Sequence, residues 1–213
     1  MNYFDYNDFA FNSSWQVTMI GYKNVPLVFV DNVYKNPHRV YEYLKSSPIR
    51  SCKPGKHQNG KGFYDGQLYV ENRWDPCREN LFSRICEIYN IEFPGTPIST
   101  YNQFRLVDDY PGQDLFWSPH VDNNLNLLIY LNPDADGKQG TSIYSATEKG
   151  KRVLDKDTEH SIPWKNSSWY TEELCIINKF NSLVAFPGQF PHGQTITDNF
   201  YKSQTRFTEV AFV

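Results

Sequence analysis

The sequence predicts a mostly β protein with flanking helices, in which a jelly-roll, cupin-like barrel rests on an N-terminal α/β support. Short apolar runs alternate with turn residues throughout the second half of the chain, a pattern typical of antiparallel strands. Helical patterns are confined to the first half. The 213 residues, 39% of them apolar and 16% aromatic, supply the core of one domain. We therefore expect a single domain over 1–213, with the support in 1–97 and the β core in 98–213.

Two helices are predicted in the support, and each has clear boundary signals. In the first, Asn36 can act as the N-cap, Pro37 suits the first helical position and Pro48 prevents continuation. In the second, Asp75 and Pro76 provide the same kind of start, and apolar residues then recur at helical spacing. Both helices are expected to be structural supports.

A strand and a loop complete the predicted support. The segment Val25–Asp31 mixes β-branched and aromatic residues, which predicts a short buried strand. Residues 52–66 contain four glycines and a proline, which predicts a long irregular loop.

The β core is predicted to contain eight short strands, which fit a jelly roll of two antiparallel sheets. No further helix is expected after Pro97. The polar stretch 145–171 is too long for a hairpin turn, so it is predicted to be a lid, a binding loop or a disordered segment. The predicted strands are 99–107, 118–124, 125–131, 141–144, 174–177, 182–186, 193–197 and 205–212.

Composition argues against several classes of function. The 21 basic and 24 acidic residues give a net charge of −3 without blocks of like charge, so neither nucleic acid nor an anionic membrane is an expected partner. No apolar run approaches the roughly 18 residues of a membrane span. The N-terminus lacks the features of a signal peptide, and the four cysteines form no CxxC pair. These features predict reduced thiols and a cytoplasmic location.

Three residues in the β core form a candidate metal site. His120 and Asp122 are two positions apart, so on the predicted strand 118–124 both side chains would project from one face into the barrel. His192 follows a later apolar strand and would complete the set. Two imidazoles and one carboxylate are the ligands of non-haem Fe(II) oxygenases. An H-x-D tripeptide alone is also compatible with a structural pair, and the ordered context favours the metal site.

Five stretches of the β half carry a resemblance to a known family. They are YPGQDLFWSPHVD (110–122), LNLLIYLNP (125–133), QGTSIY (139–144), NSLVAFPGQFPHG (181–193) and RFTEVAFV (206–213). In these stretches the chain resembles the iron(II)- and 2-oxoglutarate-dependent oxygenases, in particular their prolyl-hydroxylase-like branch. It is also similar to oxygenase-like proteins of phages and bacteria, so an infected host cell is one intracellular setting that the resemblance implies.

The resemblance implies a double-stranded β-helix and a role for each motif residue. His120, Asp122 and His192 would bind Fe(II), and Arg206, fourteen residues after His192, would bind the far carboxylate of 2-oxoglutarate. Thr208 matches the hydroxyl of the family's R-x-S/T pattern. Arg206 also has an independent argument, because a guanidinium grips a carboxylate with two parallel hydrogen bonds and is costly to bury without an anion. A solvated position on the strand is the alternative.

Four further polar residues could contribute to the site. Tyr110 matches the family's entry into the first iron-bearing strand and could reach the cosubstrate, or could belong to the core. Asn102, Arg105 and Asn126 could line the cavity, Arg105 as a second carboxylate clamp, depending on strand register.

The activity implied is hydroxylation of an unactivated C–H bond, with O2 consumed and 2-oxoglutarate decarboxylated to succinate. The carboxylate of Asp122 argues against the halogenating relatives of the family, which have a small residue there. Two alternatives stay open: a cupin-like ligand-binding protein without turnover, and a metal cupin enzyme that uses no 2-oxoacid. The substrate, an amino acid, a peptide or another small molecule, is not specified by any motif, and neither is the oligomeric state.

Overall fold

The fold was obtained as a computed structural model, which describes residues 6–47, 50–51, 63–68, 75–95, 98–106, 108–135, 137, 139–156 and 164–213. It is built mostly of antiparallel strands, with a few short helices. The strands are β1 (Gln16–Tyr22), β2 (Val25–Asp31), β3 (Arg50–Ser51), β4 (Phe63–Leu68), β5 (Ile98–Leu106), β6 (Leu115–Trp117), β7 (Leu125–Tyr130), β8 (Thr141–Ala146), β9 (Trp164–Asn166), β10 (Tyr170–Ile176), β11 (Ser182–Pro187), β12 (His192–Gln194) and β13 (Arg206–Phe212).

Eight strands form one large sheet in the order β1-β2-β11-β7-β13-β5-β4-β3. A small sheet has the order β10-β8-β12, and β6 pairs with β9. The helices are α1 (Pro37–Ser46), α2 (Pro76–Ile88), α3 (Glu148–Lys156) and α4 (Phe200–Ser203), with single 3-10 turns at Tyr6–Phe9 and Ser167–Trp169. Among the described helices, none is long and apolar enough to cross a membrane.

The central strand β7 is buried on both faces, which explains its nearly continuous apolar sequence. Leu127 and Ile129 face α1 and α2 in the larger apolar cluster. Leu128 and Tyr130 face the small sheet, where they pack with Ile143 of β8. The large sheet therefore has helices on one face and the small sheet on the other, and the polar residues described below lie between the two sheets.

Both predicted support helices are present with their predicted starts. Pro37 and Pro76 are the first residues of α1 and α2, as expected from their fixed φ. The Asp75 side chain accepts a hydrogen bond from the backbone N–H of Cys77 at 2.9 Å, so it caps α2. Asn36 precedes α1 but makes no side-chain capping bond.

The prediction of a strand over 118–124 was wrong. Only residues 115–117 form the strand β6, and His120 makes an isolated bridge to His192. Ser118 has a φ of +39°, which takes the chain out of extended geometry. Pro119 has no N–H to donate to a strand ladder, and Val121, Asn123 and Asn124 are exposed.

The prediction of a long loop over 145–171 was also wrong, as was the absence of helices after Pro97. The segment contains the end of β8, helix α3, strand β9 and the first residues of β10. Helix α3 has few apolar residues, so its sequence resembles a polar loop. Thr147 accepts a hydrogen bond from the N–H of Gly150, as an N-cap residue does, and Leu154 packs into a small aromatic cluster.

The predicted loop and the first strand are the remaining parts of the support. The loop predicted over 52–66 lies mostly outside the described residues, but its last part belongs to β4, which pairs with β5. Strand β1 was not predicted, because its side chains are exposed on both faces and show no alternation.

Candidate active site

Two segments bring His120, Asp122 and His192 together through their backbones. The N–H of His120 donates to the carbonyl of His192 at 2.8 Å, and the reverse bond is 2.9 Å long. Two residues along, the N–H of Asp122 donates to the carbonyl of Gly188 at 2.8 Å. The N–H of Gly188 donates in turn to the carbonyl of Asn124 at 2.9 Å. These four bonds fix the segment 120–124, which is not a regular strand, against the segment 188–192, which leads into β12 at His192.

The tautomers of both histidines are set by backbone carbonyls. Nδ1 of His120 lies 2.7 Å from the carbonyl of Ser118, and Nδ1 of His192 lies 2.8 Å from the carbonyl of Phe190. A carbonyl can only accept, so each Nδ1 carries a proton and each Nε2 is the nitrogen that faces Asp122. Carbonyl contacts of this kind are typical of metal-binding histidines.

The ligand atoms of the three residues lie within 4.8 Å of one another. Oδ2 of Asp122 is 3.3 Å from Nε2 of His192 and 3.7 Å from Nε2 of His120. The side chain of His120 is 27% exposed and that of His192 only 5%, so the cluster is open on the side of His120.

Asp122 is held in its ionised form. Burial by itself raises its pKa, but the adjacent imidazoles of His192 and His120 and the amide of Asn126 outweigh burial and lower the pKa below its usual range. Asn126 Nδ2 donates to Asp122 Oδ2 at 2.8 Å and lies 3.0 Å from Nε2 of His192. Asn126 is buried, and its Oδ1 has no hydrogen-bond partner among the described residues.

A second polar group lies farther along the space between the sheets, around Arg206 on β13. Its Nη1 donates to Oε1 of Gln194 at 3.0 Å and to Oγ1 of Thr208 at 3.1 Å, and its Nη2 donates to the carbonyl of Gly140 at 3.3 Å. The guanidinium also lies 5.8 Å from the ring centre of Tyr130. Arg206 is 6% exposed, so the alternative of a solvated strand charge does not apply.

The charge of Arg206 is not neutralised by any described residue. All of its hydrogen-bond acceptors are neutral, and no carboxylate in the described part of the chain lies within ion-pair distance of it. Burial raises the pKa of Tyr130 to about 12, so the phenol beside the guanidinium stays uncharged at neutral pH. The Nε–H of Arg206 and the Nε2 of Gln194 are both buried without an acceptor.

The remaining sequence-predicted residues lie in different surroundings. Thr208 is buried beside Arg206, whereas Tyr110 packs against Trp164 and donates its backbone N–H to Asn199. Among the described contacts of Tyr110, none reaches the histidines or Arg206, and its role toward a cosubstrate stays a prediction. Arg105 is exposed, so the structure does not support it as a second carboxylate clamp.

Sequence reasoning missed Gln194 and ranked Asn126 too low. Gln194 lies two positions after His192, and this spacing on a strand was the available signal. Asn126 lies four positions after Asp122 at the start of β7, and only the strand register shows that its side chain faces the cluster.

The sequence matches no model of a known protein family and no curated protein. Among solved structures, a prolyl-4-hydroxylase of Pseudomonas putida is similar over 80% of this chain and 79% of its own, with 10% identity and a TM-score of 0.37. The ribosomal oxygenase YcfD of Escherichia coli aligns with 94% of this chain and 53% of its own, with 13% identity and a TM-score of 0.42. A prolyl hydroxylase from Trichoplax adhaerens, in complex with a hypoxia inducible factor peptide fragment, aligns with 87% of this chain and 83% of its own, with 14% identity and a TM-score of 0.42. Because these TM-scores lie below 0.5, the function has to be inferred from the chain's own site.

Proposed function

We propose that this protein is an Fe(II)- and 2-oxoglutarate-dependent oxygenase that hydroxylates an unactivated C–H bond of an amino-acid, peptide or other small-molecule substrate. The observation that carries the proposal is the buried, un-neutralised guanidinium of Arg206, which shares one interior with the cluster of His120, Asp122 and His192. Each feature alone is compatible with other functions. Together they provide both a metal site and a carboxylate site.

The donor set fits a divalent iron. Two neutral imidazole nitrogens and one carboxylate oxygen form the facial set typical of non-haem Fe(II). Two ligands about 2.1 Å from a metal and at a right angle to each other lie about 3 Å apart. The 3.3 Å between Asp122 and His192 and the 3.7 Å between Asp122 and His120 require only small side-chain adjustments. The carboxylate offsets part of the metal's charge, and the pinned backbones hold the ligands in place.

The position of Arg206 fits a dicarboxylic cosubstrate. Asn126, Leu128 and Tyr130 lie on one face of β7, with the metal ligands beside Asn126 and the guanidinium beside Tyr130. Leu128 and Val210, each 9% exposed, form the apolar wall between these two polar ends. A short dicarboxylic acid such as 2-oxoglutarate would lie along this wall, with its far carboxylate on Arg206 and Thr208.

The chain's own residues have distinct roles in this proposal. His120, Asp122 and His192 would hold the metal, and the exposed side of His120 would admit the substrate. Arg206 and Thr208 would orient the cosubstrate, and the apolar cluster around Leu128 and Ile143 would exclude water from it. When bound, iron and 2-oxoglutarate supply the activation of O2 and the oxidative decarboxylation to succinate.

We further infer that the sheets form a double-stranded β-helix. Along the chain, β7 lies in the large sheet, β8 and β10 in the small sheet, β11 in the large, β12 in the small and β13 in the large. Strands that alternate between two facing antiparallel sheets are typical of jelly rolls. This alternation supports the proposal, and it also places His192 and Arg206 on opposite sheets.

The test is an anaerobic titration of the protein with Fe(II) and then with 2-oxoglutarate, followed by the visible charge-transfer band of an iron-chelated 2-oxoacid. We expect a band in the unmodified protein, its loss in His120→Ala, and a much higher 2-oxoglutarate requirement in Arg206→Ala. Bound metal without a band would contradict the proposal and favour a metal cupin that uses no 2-oxoacid. Failure to bind metal would favour a ligand-binding protein without turnover.

A further inference from the structure

Gln194 combines two features that the proposed function does not explain. Its Oε1 accepts a hydrogen bond from Nη1 of Arg206 at 3.0 Å, across the space between β12 and β13. Its Nε2 is buried and has no acceptor among the described residues. The orientation of the amide is fixed by its neighbour, because a rotated amide would direct its N–H groups at the donor Nη1.

Two hydrogen-bonded side chains each have a buried N–H group that lacks an acceptor. Arg206 Nε, like Gln194 Nε2, is buried without a partner, and the two side chains are hydrogen-bonded to each other. Buried donors are normally satisfied, so each of these two donors has a hydrogen bond available for a group of a ligand. A carboxylate has two oxygens and about four lone-pair sites, so it can accept from both groups at once.

We propose that Gln194 is a further cosubstrate-binding residue, whose Nε2–H donates to the far carboxylate of the 2-oxoacid beside Arg206. Its Oε1 would at the same time keep Nη1 of Arg206 in place. The two donors come from different sheets, since Gln194 lies on β12 and Arg206 on β13. This inference rests on the proposed function, because it assigns a partner to the same carboxylate.

The neutral character of Gln194 is essential to this role. A glutamate at the same position would place a negative charge beside the guanidinium and neutralise it internally. The amide keeps Arg206 oriented without removing its charge, so the pocket retains its attraction for an anion.

The experiment compares the 2-oxoacid affinity of four proteins loaded anaerobically with Fe(II): the unmodified chain, Gln194→Leu, Gln194→Glu and the control Gln16→Leu. Gln16 is exposed on β1, so Gln16→Leu makes the same chemical change away from the site. Each protein is titrated with 2-oxoglutarate and with 2-oxopentanoate, which has the same chain length but no far carboxylate. The Kd is taken from the charge-transfer band.

We expect Gln194→Leu to weaken 2-oxoglutarate binding about 10- to 100-fold, as the loss of one hydrogen bond to a charged group does. Binding of 2-oxopentanoate should stay unchanged, and Gln194→Glu should weaken 2-oxoglutarate more than Gln194→Leu does. Equal affinities for 2-oxoglutarate in the unmodified chain and in Gln194→Leu would overturn the inference. An equal loss for both acids would overturn it too, because a distorted pocket would then be the cause.

Two further readouts keep the result interpretable. If Gln194→Leu does not fold, as judged by circular dichroism, Gln194→Met removes the same amide with a flexible side chain of similar length. If the unmodified chain binds metal but gives no band with either acid, the proposed function itself fails and this inference fails with it. A normal band in the unmodified chain together with an unaffected Gln194→Leu would instead overturn only the role of Gln194.

Discussion

Arg78 and Glu209 form a buried ion pair on the face of β13 opposite to the one that carries Arg206. Glu209 also accepts a hydrogen bond from the hydroxyl of Tyr34, and Arg78 donates to Ser99 at 2.6 Å. One face of this strand thus meets a guanidinium, that of Arg78 on α2, which is neutralised by a carboxylate. The other face carries Arg206, three positions before Glu209, and the guanidinium of Arg206 has no counter-charge among the described residues. The contrast separates a structural arginine from one that is available to a ligand.

Replacement of these two arginines by methionine should therefore change the free energy of unfolding by very different amounts. Arg78→Met leaves the carboxylate of Glu209 buried and uncompensated, so we expect the free energy of unfolding to fall by about 3–5 kcal/mol. Arg206→Met removes a buried charge that has only neutral hydrogen-bond acceptors and no counter-charge, so stability should change by less than about 1 kcal/mol or should increase. Urea denaturation followed by circular dichroism measures both values. An equally large loss in Arg206→Met would show that its guanidinium is structural.

The approach of Gly188 to Asp122 leads to a second prediction. A Cβ at Gly188 would lie 2.4 Å from the carbonyl oxygen of Asn124 and 2.7 Å from Cβ of Asp122. Gly188→Ala must therefore displace the segment that carries Asp122, and we expect metal affinity to fall at least about tenfold. The control is Gly21→Ala, because a Cβ at Gly21 meets nothing within 4 Å. Isothermal titration with Mn(II) compares the two, and unchanged affinity in Gly188→Ala would contradict the described loop geometry.

Asn126 should affect metal binding through Asp122. Its amide donates to the carboxylate oxygen that faces both histidines, and it fixes the orientation of that carboxylate. Loss of such a partner behind a metal ligand typically costs 10- to 100-fold in affinity. We expect this loss of Mn(II) affinity in Asn126→Ala and normal affinity in Asn124→Ala, whose side chain is exposed. Equal affinities in the two variants would show that Asp122 needs no such support.

The sequence predicted those parts of the fold whose pattern is local. Helices α1 and α2 have a proline at their first position and an apolar stripe, and β7 and β11 are short apolar runs bounded by turn residues. Strand β1 and helix α3 have no such pattern. Strand β1 is held by its hairpin pairing with β2, and helix α3 packs against Tyr170, and neither contact produces an apolar pattern in the segment itself.

For the candidate site, the residue types were predictable but the geometry was not. His120, Asp122 and His192 do converge, yet the strand periodicity proposed for His120 and Asp122 was wrong, because backbone hydrogen bonds to the segment 188–192 bring these residues together. The environment of Arg206 was beyond sequence reasoning. Whether an arginine is neutralised depends on whether a facing strand places a carboxylate beside it. The sequence alone does not show which strands face each other.

Buried tyrosines should make the fold sensitive to alkaline pH. Burial raises the pKa of Tyr130 from about 10 to about 12, and it also raises the pKa values of Tyr34, Tyr101 and Tyr144. A group whose pKa is higher in the folded state stabilises that state fully below its unfolded pKa. This stabilisation is lost as the pH rises through the folded pKa. We therefore expect these tyrosines to leave the free energy of unfolding unchanged below pH 10. Ionisation of Tyr130 should lower the free energy of unfolding between pH 10 and 12.

The ultraviolet absorbance of tyrosinate, measured together with circular dichroism during a pH titration, checks this expectation. Ionisation of the buried tyrosines should coincide with cooperative unfolding, because burial destabilises each phenolate more than the nearby guanidinium of Arg206 or Arg78 stabilises it. Tyr130→Phe removes one of the groups that must ionise, although it also removes the hydrogen bond to Thr141. Its stability should accordingly be lower at neutral pH but should decline less steeply between pH 10 and 12. Complete tyrosine ionisation near pH 10 with unchanged circular dichroism would mean that these side chains reach solvent in the folded protein.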